Sequence, residues 1–236
     1  TPILPLDLRP RLSLDSARSH WRVETLPQCM LRQYHEAVGL TQMPEDILTA
    51  ATREWLQCLV RWLLRISKSM VIEQCVAADG SVRSSTQCHL IEEGESAAPN
   101  WTMRRTVIDA RYGNRKDGYV TLLIEPLPMR EFLRLFRQAS ERRESYIQEH
   151  HSGIYARAQF ALDWTQDTHA SLIFVCQDDC DMGEVAIKRS RAYAKRLRER
   201  AEEIVERIEA GDEPMPEHTP GEHPDCASCS IYDECV

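Results

Sequence analysis

Apolar residues recur at the spacing of an amphipathic helix in several parts of the chain. The clearest case lies within residues 44–67, where five aliphatic side chains fall on one helical face: Leu56, Leu59, Val60, Leu63 and Leu64. Gly211 follows another periodic stretch and is typical of a helix C-terminus. Together these signals predict helices over residues 27–38, 44–67, 129–149, 153–164 and 187–210.

Shorter apolar or alternating runs predict strands over residues 70–76, 106–112, 119–125 and 170–176. The second and third of these flank a polar turn with glycine at both ends, which predicts a β-hairpin. Pro126 and Pro128 are expected to end the third strand, and residues 81–102 are expected to form a polar loop or long hairpin. The order of helices and strands predicts a mixed α/β domain.

Composition narrows the class of protein. The chain has 236 residues, of which 42% are hydrophobic and 28% charged, as in globular proteins. No apolar run approaches the roughly 18–20 residues that span a bilayer, and the N-terminal residues lack a signal-peptide pattern. We therefore expect a cytoplasmic protein with no membrane partner.

The formal net charge of -8 argues against indiscriminate binding of nucleic acid, but a local basic groove is compatible with it. Lysine and arginine are densest along the start of the last predicted helix, over residues 188–200. Two interpretations stay open: a nucleic-acid contact, or a solvated helix face with paired charges.

Nine cysteines are a high number for a chain of this length. Three of them, Cys226, Cys229 and Cys235, form a C-x2-C-x5-C pattern in a proline-rich tail that has too few apolar residues to pack alone. In a cytosolic protein this clustering favours metal binding over disulfides. The fourth ligand is open: Cys29, at the start of the first predicted helix, or His223, which would make a local zinc site.

A lone cysteine opening an N-terminal helix, with C-x2-C-x5-C near the C-terminus, resembles the iron–sulfur nucleases of the RecB/AddB type in the PD-(D/E)XK superfamily. The CRISPR-associated RecB-like exonucleases of that group are similar in size. The resemblance implies a restriction-endonuclease-like core, a mixed sheet flanked by helices. It also implies a [4Fe–4S] cluster that joins the N- and C-terminal regions through Cys29, Cys226, Cys229 and Cys235.

The same resemblance implies one domain over residues 1–236. Its parts would be an N-terminal helical part (1–69), a core of sheet and helices (70–186), and a long helix with the cysteine-rich tail (187–236).

Members of that family carry an aspartate on one strand and (Asp/Glu)-x-Lys at the end of the next. These groups hold Mg²⁺ or Mn²⁺ and place a positive charge beside the scissile phosphate. Asp109 and Glu125 match the two acidic positions, but the lysine position is Leu127.

Gln159 matches the family's glutamine on the following helix, although Asp163 stands where a tyrosine is usual. The family's N-terminal histidine has no counterpart near residues 53–57. Glu73 is a candidate auxiliary acid, and Arg130 or Lys116 are candidates to replace the missing lysine.

The resemblance therefore implies a DNA-binding or DNA-processing protein that acts with protein subunits in a larger nucleic-acid complex. With the lysine and histidine missing, weakened or lost cleavage is expected. Two alternatives stay open: an active DNA exonuclease that uses Mg²⁺ or Mn²⁺, and a zinc-stapled scaffold for protein partners.

Overall fold

A computed structural model describes residues 20–22, 26–37, 55, 75–76, 82–83, 88–93, 102–108, 110–114 and 118–217. The helix predicted over residues 44–67 lies outside this part of the chain except for Trp55, which is helical and exposed. The tail with Cys226, Cys229 and Cys235 also lies outside it.

The described strands belong to three sheets. Strands β1 (His20–Arg22), β4 (Cys88–Glu93) and β5 (Thr102–Ile108) form one sheet, and the short strands β2 (Cys75–Val76) and β3 (Val82–Arg83) pair with each other. The third sheet has the order β6-β7-β8-β9 and contains β6 (Ala110–Asn114), β7 (Gly118–Leu127), β8 (His169–Cys176) and β9 (Met182–Lys188). This sheet is mixed, because β7 and β8 run parallel while the other two pairs are antiparallel.

Five helices surround the sheets in the described part of the chain. They are α1 (Met30–Ala37), α2 (Met129–Phe136), α3 (Arg143–His150), α4 (Ser152–Thr165) and α5 (Arg191–Ala210). None of these helices is long and apolar enough to cross a membrane.

One apolar core joins the four-stranded sheet to α2, α3 and α4. Fully buried side chains of the two central strands, such as Leu123, Leu172 and Phe174, share this core with Leu135 and Leu162 of the helices. Strand β8 is buried along most of its length, as expected for a central strand with neighbours on both sides.

A second apolar core joins α1, α4 and α5. It contains Met30 from α1, Phe160 from α4 and Leu197 from α5, and all three side chains are buried. Helix α4 therefore has one side in each core, which explains why eight consecutive residues of this helix are buried.

Gly183 allows a close approach between β9 and the aromatic ring of Phe136. A Cβ atom built on Gly183 would lie 2.1 Å from a carbon of that ring. The ring is itself held by Phe132 at 4.6 Å between centroids and by the guanidinium of Arg143 at 4.9 Å. Only glycine fits this position without displacing a packed ring.

Several predicted elements are confirmed, with shifted ends. The hairpin is present as β6 and β7, the buried strand as β8, and the first, fourth and last predicted helices as α1, α4 and α5. The predicted strand over 106–112 is divided between β5 and β6, which lie in different sheets. The predicted end at Pro126 was wrong, because β7 continues to Leu127 with Pro126 opposite Val175 of β8.

Four of the described strands were not predicted individually from the sequence: β1, β3, β4 and β9. Strand β1 precedes the first predicted helix, β3 and β4 lie where a loop or long hairpin was expected, and β9 occupies the residues just before and at the predicted start of the last helix. That helix begins only at Arg191, because Ser190 is its N-cap and its side chain accepts a hydrogen bond from the Tyr193 N–H.

Candidate functional site

Glu125 lies near the carboxyl end of β7, opposite Phe174 of the parallel strand β8. Side chains alternate between the two faces of a strand, so Glu125 lies on the same face of β7 as Thr121, four residues earlier. Thr121 lies 3.1 Å from the hydroxyl of Thr165 in α4, which shows that this face of the sheet points towards α4. The sheet thus presents the Glu125 carboxylate to the buried side of that helix.

Arg157 of α4 meets that carboxylate. Its Nη1 donates a hydrogen bond to Oε1 of Glu125 in an ion pair whose side chains are 7% and 12% exposed, respectively. Arg157 is the one charged residue in the buried stretch of α4. A charge removed from water is tolerated when it is paired and hydrogen-bonded, and these two residues supply that pairing for each other.

The position two residues after Glu125 is apolar. Leu127 is 6% exposed and belongs to the same core as Phe132 and Leu135 of α2. The chain passes directly from Leu127 through Pro128 into α2, which closes this end of β7 with apolar side chains. Of the two candidate replacements for lysine, Arg130 is exposed and Lys116 lies outside the described residues.

Gln159 is fully buried and joins two neighbouring segments. Its Nε2 donates to the carbonyl of Lys188 at 2.8 Å, and its Oε1 accepts from the Ser190 N–H at 2.7 Å. These bonds fix the connection between β9 and α5 to α4. Asp163, four residues further on, accepts a hydrogen bond from Arg198 at 3.0 Å. A catalytic role for Gln159 stays a prediction.

Asp109 lies between β5 and β6 but is not among the described residues, and neither is Glu73. Within the described part of the chain, no group of three or more histidine, cysteine, aspartate or glutamate side chains is placed to hold a metal ion. Glu125, the one described member of the predicted acidic pair, is already engaged by a guanidinium. Among the described residues, Glu125 alone does not supply the several oxygen ligands that a divalent cation takes.

Cys29 is half-buried and immediately precedes α1. Its carbonyl accepts a hydrogen bond from the first turn of the helix, donated by the Gln33 N–H at 3.2 Å. The buried amide of Gln33 also donates to the carbonyls of Leu26 and Gln28, at 3.0 and 2.7 Å. These bonds fix the turn that carries Cys29.

Residues after α5 return to the helix that Cys29 precedes. Arg200 of α5 donates to both carboxylate oxygens of Glu217 at 2.8 and 2.7 Å, and to the carbonyl of Gln28 at 2.6 Å. Glu217 also accepts from the Met30 N–H at 3.0 Å. We call this group the chain-end contact; a second bond, between His35 and Glu213 at 3.0 Å, lies beside it.

Basic side chains of the segment 188–200 divide into two groups. Arg198 and Arg200 are held by acidic partners, as described above, and half-buried Arg189 donates to Oε1 of Gln166 at 2.8 Å. Four others are exposed at the N-terminal end of α5 or just before it: Lys188, Arg191, Lys195 and Arg196. Lys195 also lies 3.4 Å from Glu199, and Arg196 lies over the ring of Tyr193 at 5.4 Å. Part of the predicted basic stretch is therefore open to solvent.

Two tyrosines and one histidine near α4 have shifted pKa values. Burial raises the pKa of Tyr155, and the negative charge of Glu144 raises it further; burial also raises the pKa of Tyr193. Burial lowers the pKa of His151 below its ordinary value of 6.5, against the opposing charge of Glu131. Both tyrosines are therefore protonated and uncharged at neutral pH.

Arg157 was not selected from the sequence. A single arginine in a helix most often lies at the surface with its charged end in water. The available signal was its place between alanines and next to aliphatic and aromatic positions, in the run Tyr155-Ala-Arg-Ala-Gln-Phe-Ala-Leu162.

No protein-family model matches the chain, and no curated protein matches it significantly. Among solved structures, the crystal structure of an alkaline exonuclease (LHK-Exo) from Laribacter hongkongensis is similar in fold. Its TM-score is 0.51 at 11% identity, and the match covers 84% of this chain and 92% of that chain. LHK-Exo in complex with dAMP gives a TM-score of 0.49 at 12% identity, covering 81% and 89%. The crystal structure of SSO0001 gives 0.49 at 14% identity, covering 92% and 85%.

At 11% identity, the likeness to the alkaline exonuclease concerns the fold and not the chemistry. It agrees with the architecture that the sequence led us to expect, a mixed sheet flanked by helices. The described part of this chain therefore has a nuclease-like α/β fold.

Proposed function

We propose that the protein binds or processes DNA within a larger nucleic-acid complex, and that its ability to cleave DNA is weakened or lost. The observation that carries the proposal is the apolar setting of Leu127, at the position where the resembled nucleases have lysine. A nuclease of this kind needs a positive charge beside the attacking water and the scissile phosphate. In this protein the corresponding side chain is Leu127, which packs among apolar side chains of α2 and β7.

A single missing electrostatic group of this type commonly lowers the rate by about 10²–10³. The histidine expected near residues 53–57 is also absent from the sequence, which adds to the loss. Glu125 is engaged by Arg157, so the acidic pair lacks a free carboxylate at this position. The apolar Leu127, the absent histidine and the pairing of Glu125 with Arg157 are each expected to lower the rate of cleavage.

Exposed basic side chains around the start of α5 support nucleic-acid binding. Phosphate contacts from such side chains displace counterions, so binding should weaken steeply as salt concentration rises. Arg191, Lys195 and Arg196 can be replaced together with glutamine. The slope of the logarithm of DNA affinity against the logarithm of salt concentration should then fall by about one unit for each phosphate contact that the substitutions remove. Arg207→Gln, 16 residues after Arg191 on the same helix, is the matched control. Equal affinity and slope in the triple variant would exclude this surface.

A [4Fe–4S] cluster held by Cys29, Cys226, Cys229 and Cys235 is the second part of the proposal. The chain-end contact supports it, because Glu217 is bonded next to Cys29 and stands nine residues before Cys226. Nine residues of extended chain reach at most about 30 Å, and a connection of this length allows Cys226 to reach Cys29. When bound, such a cluster would join the two ends of the chain through four thiolates.

Anaerobic purification tests the cluster. We expect broad absorbance at ~400 nm, together with iron and sulfide bound to the protein. The Cys29→Ser variant should lose both the absorbance and the bound iron. A colourless protein with stoichiometric zinc, unaffected by Cys29→Ser but lost in His223→Ala, would instead establish the zinc-stapled scaffold.

Incubation with Mg²⁺ or Mn²⁺ and single- or double-stranded DNA tests the loss of cleavage. We expect DNA to be bound but not cut. Robust cleavage that disappears in Asp109→Ala would contradict the proposal and establish the active exonuclease.

A further inference from the structure

The Glu125 carboxylate has a cationic partner of its own. Arg157 donates to Oε1 of Glu125, and both side chains are almost completely removed from water. Arginine keeps its charge throughout the accessible pH range, so the guanidinium beside Glu125 is a permanent cation. In a nuclease of the resembled kind, a carboxylate at this position would face a divalent cation.

The guanidinium has little freedom to leave. Arg157 lies between Ala156, which packs in the core of α1, α4 and α5, and Ala158, which packs in the core of the sheet. Both alanines are fully buried, so the backbone that carries Arg157 is fixed on both sides. Moving the guanidinium away would break a buried ion pair, which is strongly unfavourable.

We propose that Arg157 takes the place of the divalent cation at Glu125. A carboxylate that is neutralised by a fixed positive charge attracts a second cation weakly, and the guanidinium repels it at short range. The protein should therefore bind no Mg²⁺ or Mn²⁺ at Glu125 while Arg157 is present. It should gain a divalent cation site when Arg157 is replaced by a neutral side chain of similar length. The inference rests on the proposed function, because it gives one physical cause for the lost cleavage.

Mn²⁺ binding measured by electron paramagnetic resonance tests the inference without DNA. The signal of free Mn²⁺ is recorded during titration of the full chain. We expect no loss of signal at Glu125 in the wild type, and binding of about one equivalent by Arg157→Met, since a carboxylate in this setting then lacks a cation. Arg189→Met is the matched control, because it removes an arginine that donates to the neutral side-chain amide of Gln166, and it should bind no additional Mn²⁺.

Glu125→Gln identifies the site. The additional Mn²⁺ bound by Arg157→Met should be lost in Arg157→Met/Glu125→Gln, and Glu125→Gln alone should leave wild-type binding unchanged. Wild-type binding that depends on Glu125, with Arg157 intact, would overturn the inference. A folded Arg157→Met that binds no more Mn²⁺ than the wild type would overturn it as well.

Removal of Arg157 can also unfold the protein, because it breaks a buried ion pair and leaves the Glu125 charge without its guanidinium. In that case Mn²⁺ is expected to restore the circular dichroism of Arg157→Met, since the ion supplies the missing charge. If Mn²⁺ fails to restore it while Arg157→Met/Glu125→Gln folds, the inference is wrong. The proposed function is refuted separately, if the wild-type protein fails to bind DNA or if it cleaves DNA. The Mn²⁺ titration measures neither of these activities.

Discussion

The chain-end contact can be weakened by one substitution, Arg200→Gln. This change removes both hydrogen bonds to Glu217 and the bond to the carbonyl of Gln28. The Arg200 and Glu217 side chains are 24% and 33% exposed, so the pair is partly screened by water. Exposed pairs contribute about 0–1 kcal/mol, and hydrogen bonds to charged groups about 1.5–3 kcal/mol. An ion pair of intermediate exposure should therefore contribute about 1–2 kcal/mol to local stability.

Hydrogen exchange at the Met30 amide measures this quantity. The first N–H groups of a helix have no partner within the helix, and the Met30 N–H is bonded instead to Glu217. A loss of about 1–2 kcal/mol corresponds to exchange about 5–30 times faster at this amide. The measurement is made on the full chain.

Arg207→Gln is the control for this experiment. It removes ion pairs with Glu203 and Asp212 on the same helix or just after it, and leaves the bonds to Glu217 in place. Exchange at Met30 should then change by less than about two-fold, as for most surface substitutions. Unchanged exchange at Met30 in Arg200→Gln would refute the reasoning, because the bonds would not be what holds the two segments together.

Three further predictions concern stability, measured by urea and thermal unfolding. Gly183→Ala should destabilise the fold by about 1–3 kcal/mol, because the added methyl group meets the packed ring of Phe136; wild-type stability would contradict that packing. Ser190→Ala should cost about 0.5–2 kcal/mol through loss of the N-cap of α5, whereas Ser190→Asp should retain most of it. The pKa of His151 is lowered in the folded state, so the unfolded state binds the proton more readily. Its contribution to stability is complete above pH 6.5 and is lost as pH falls below that value; His151→Gln should flatten this part of the pH profile, and an unchanged profile would exclude His151 as its source.

Local periodicity was sufficient to predict the regular elements that contain many apolar residues. Strand β8 and helices α4 and α5 were found in this way, and in α5 the buried residues Ala194, Leu197, Ala201 and Ile204 recur at helical spacing. Strand β9 was missed because only Val185 and Ile187 are buried along it. Such a short, half-polar run carries too little signal to be separated from the helix that follows.

The helix predicted over residues 129–149 was wrong in its continuity. Helix α2 ends at Phe136, and Ala139 has extended backbone angles before the next helical turn. No glycine or proline marks this break in the sequence. Arg143 stabilises it by donating to the carbonyls of Phe136 and Gln138, at 3.3 Å each. These bonds join residues five and seven positions apart, a spacing that helical periodicity does not reveal.

Glu125 was selected as the last residue of a predicted apolar strand; in the structure it lies on β7, which continues for two more residues to Leu127. Its partner was not predictable in the same way, because a sequence does not show which side of a helix will meet which strand. The pairing with Arg157 depends on α4 packing across the sheet at that register.

The apolar surroundings of Leu127 also determine how well a lysine would be tolerated at this position. Leu127→Lys alone would bring an ammonium group into the core shared with Phe132 and Leu135, and burial penalises its charged form. Glu125, two residues earlier on the same strand, is already paired with Arg157. A lysine at position 127 would thus enter an apolar core without a counter-charge of its own, and would be tolerated only together with a second replacement that supplies one.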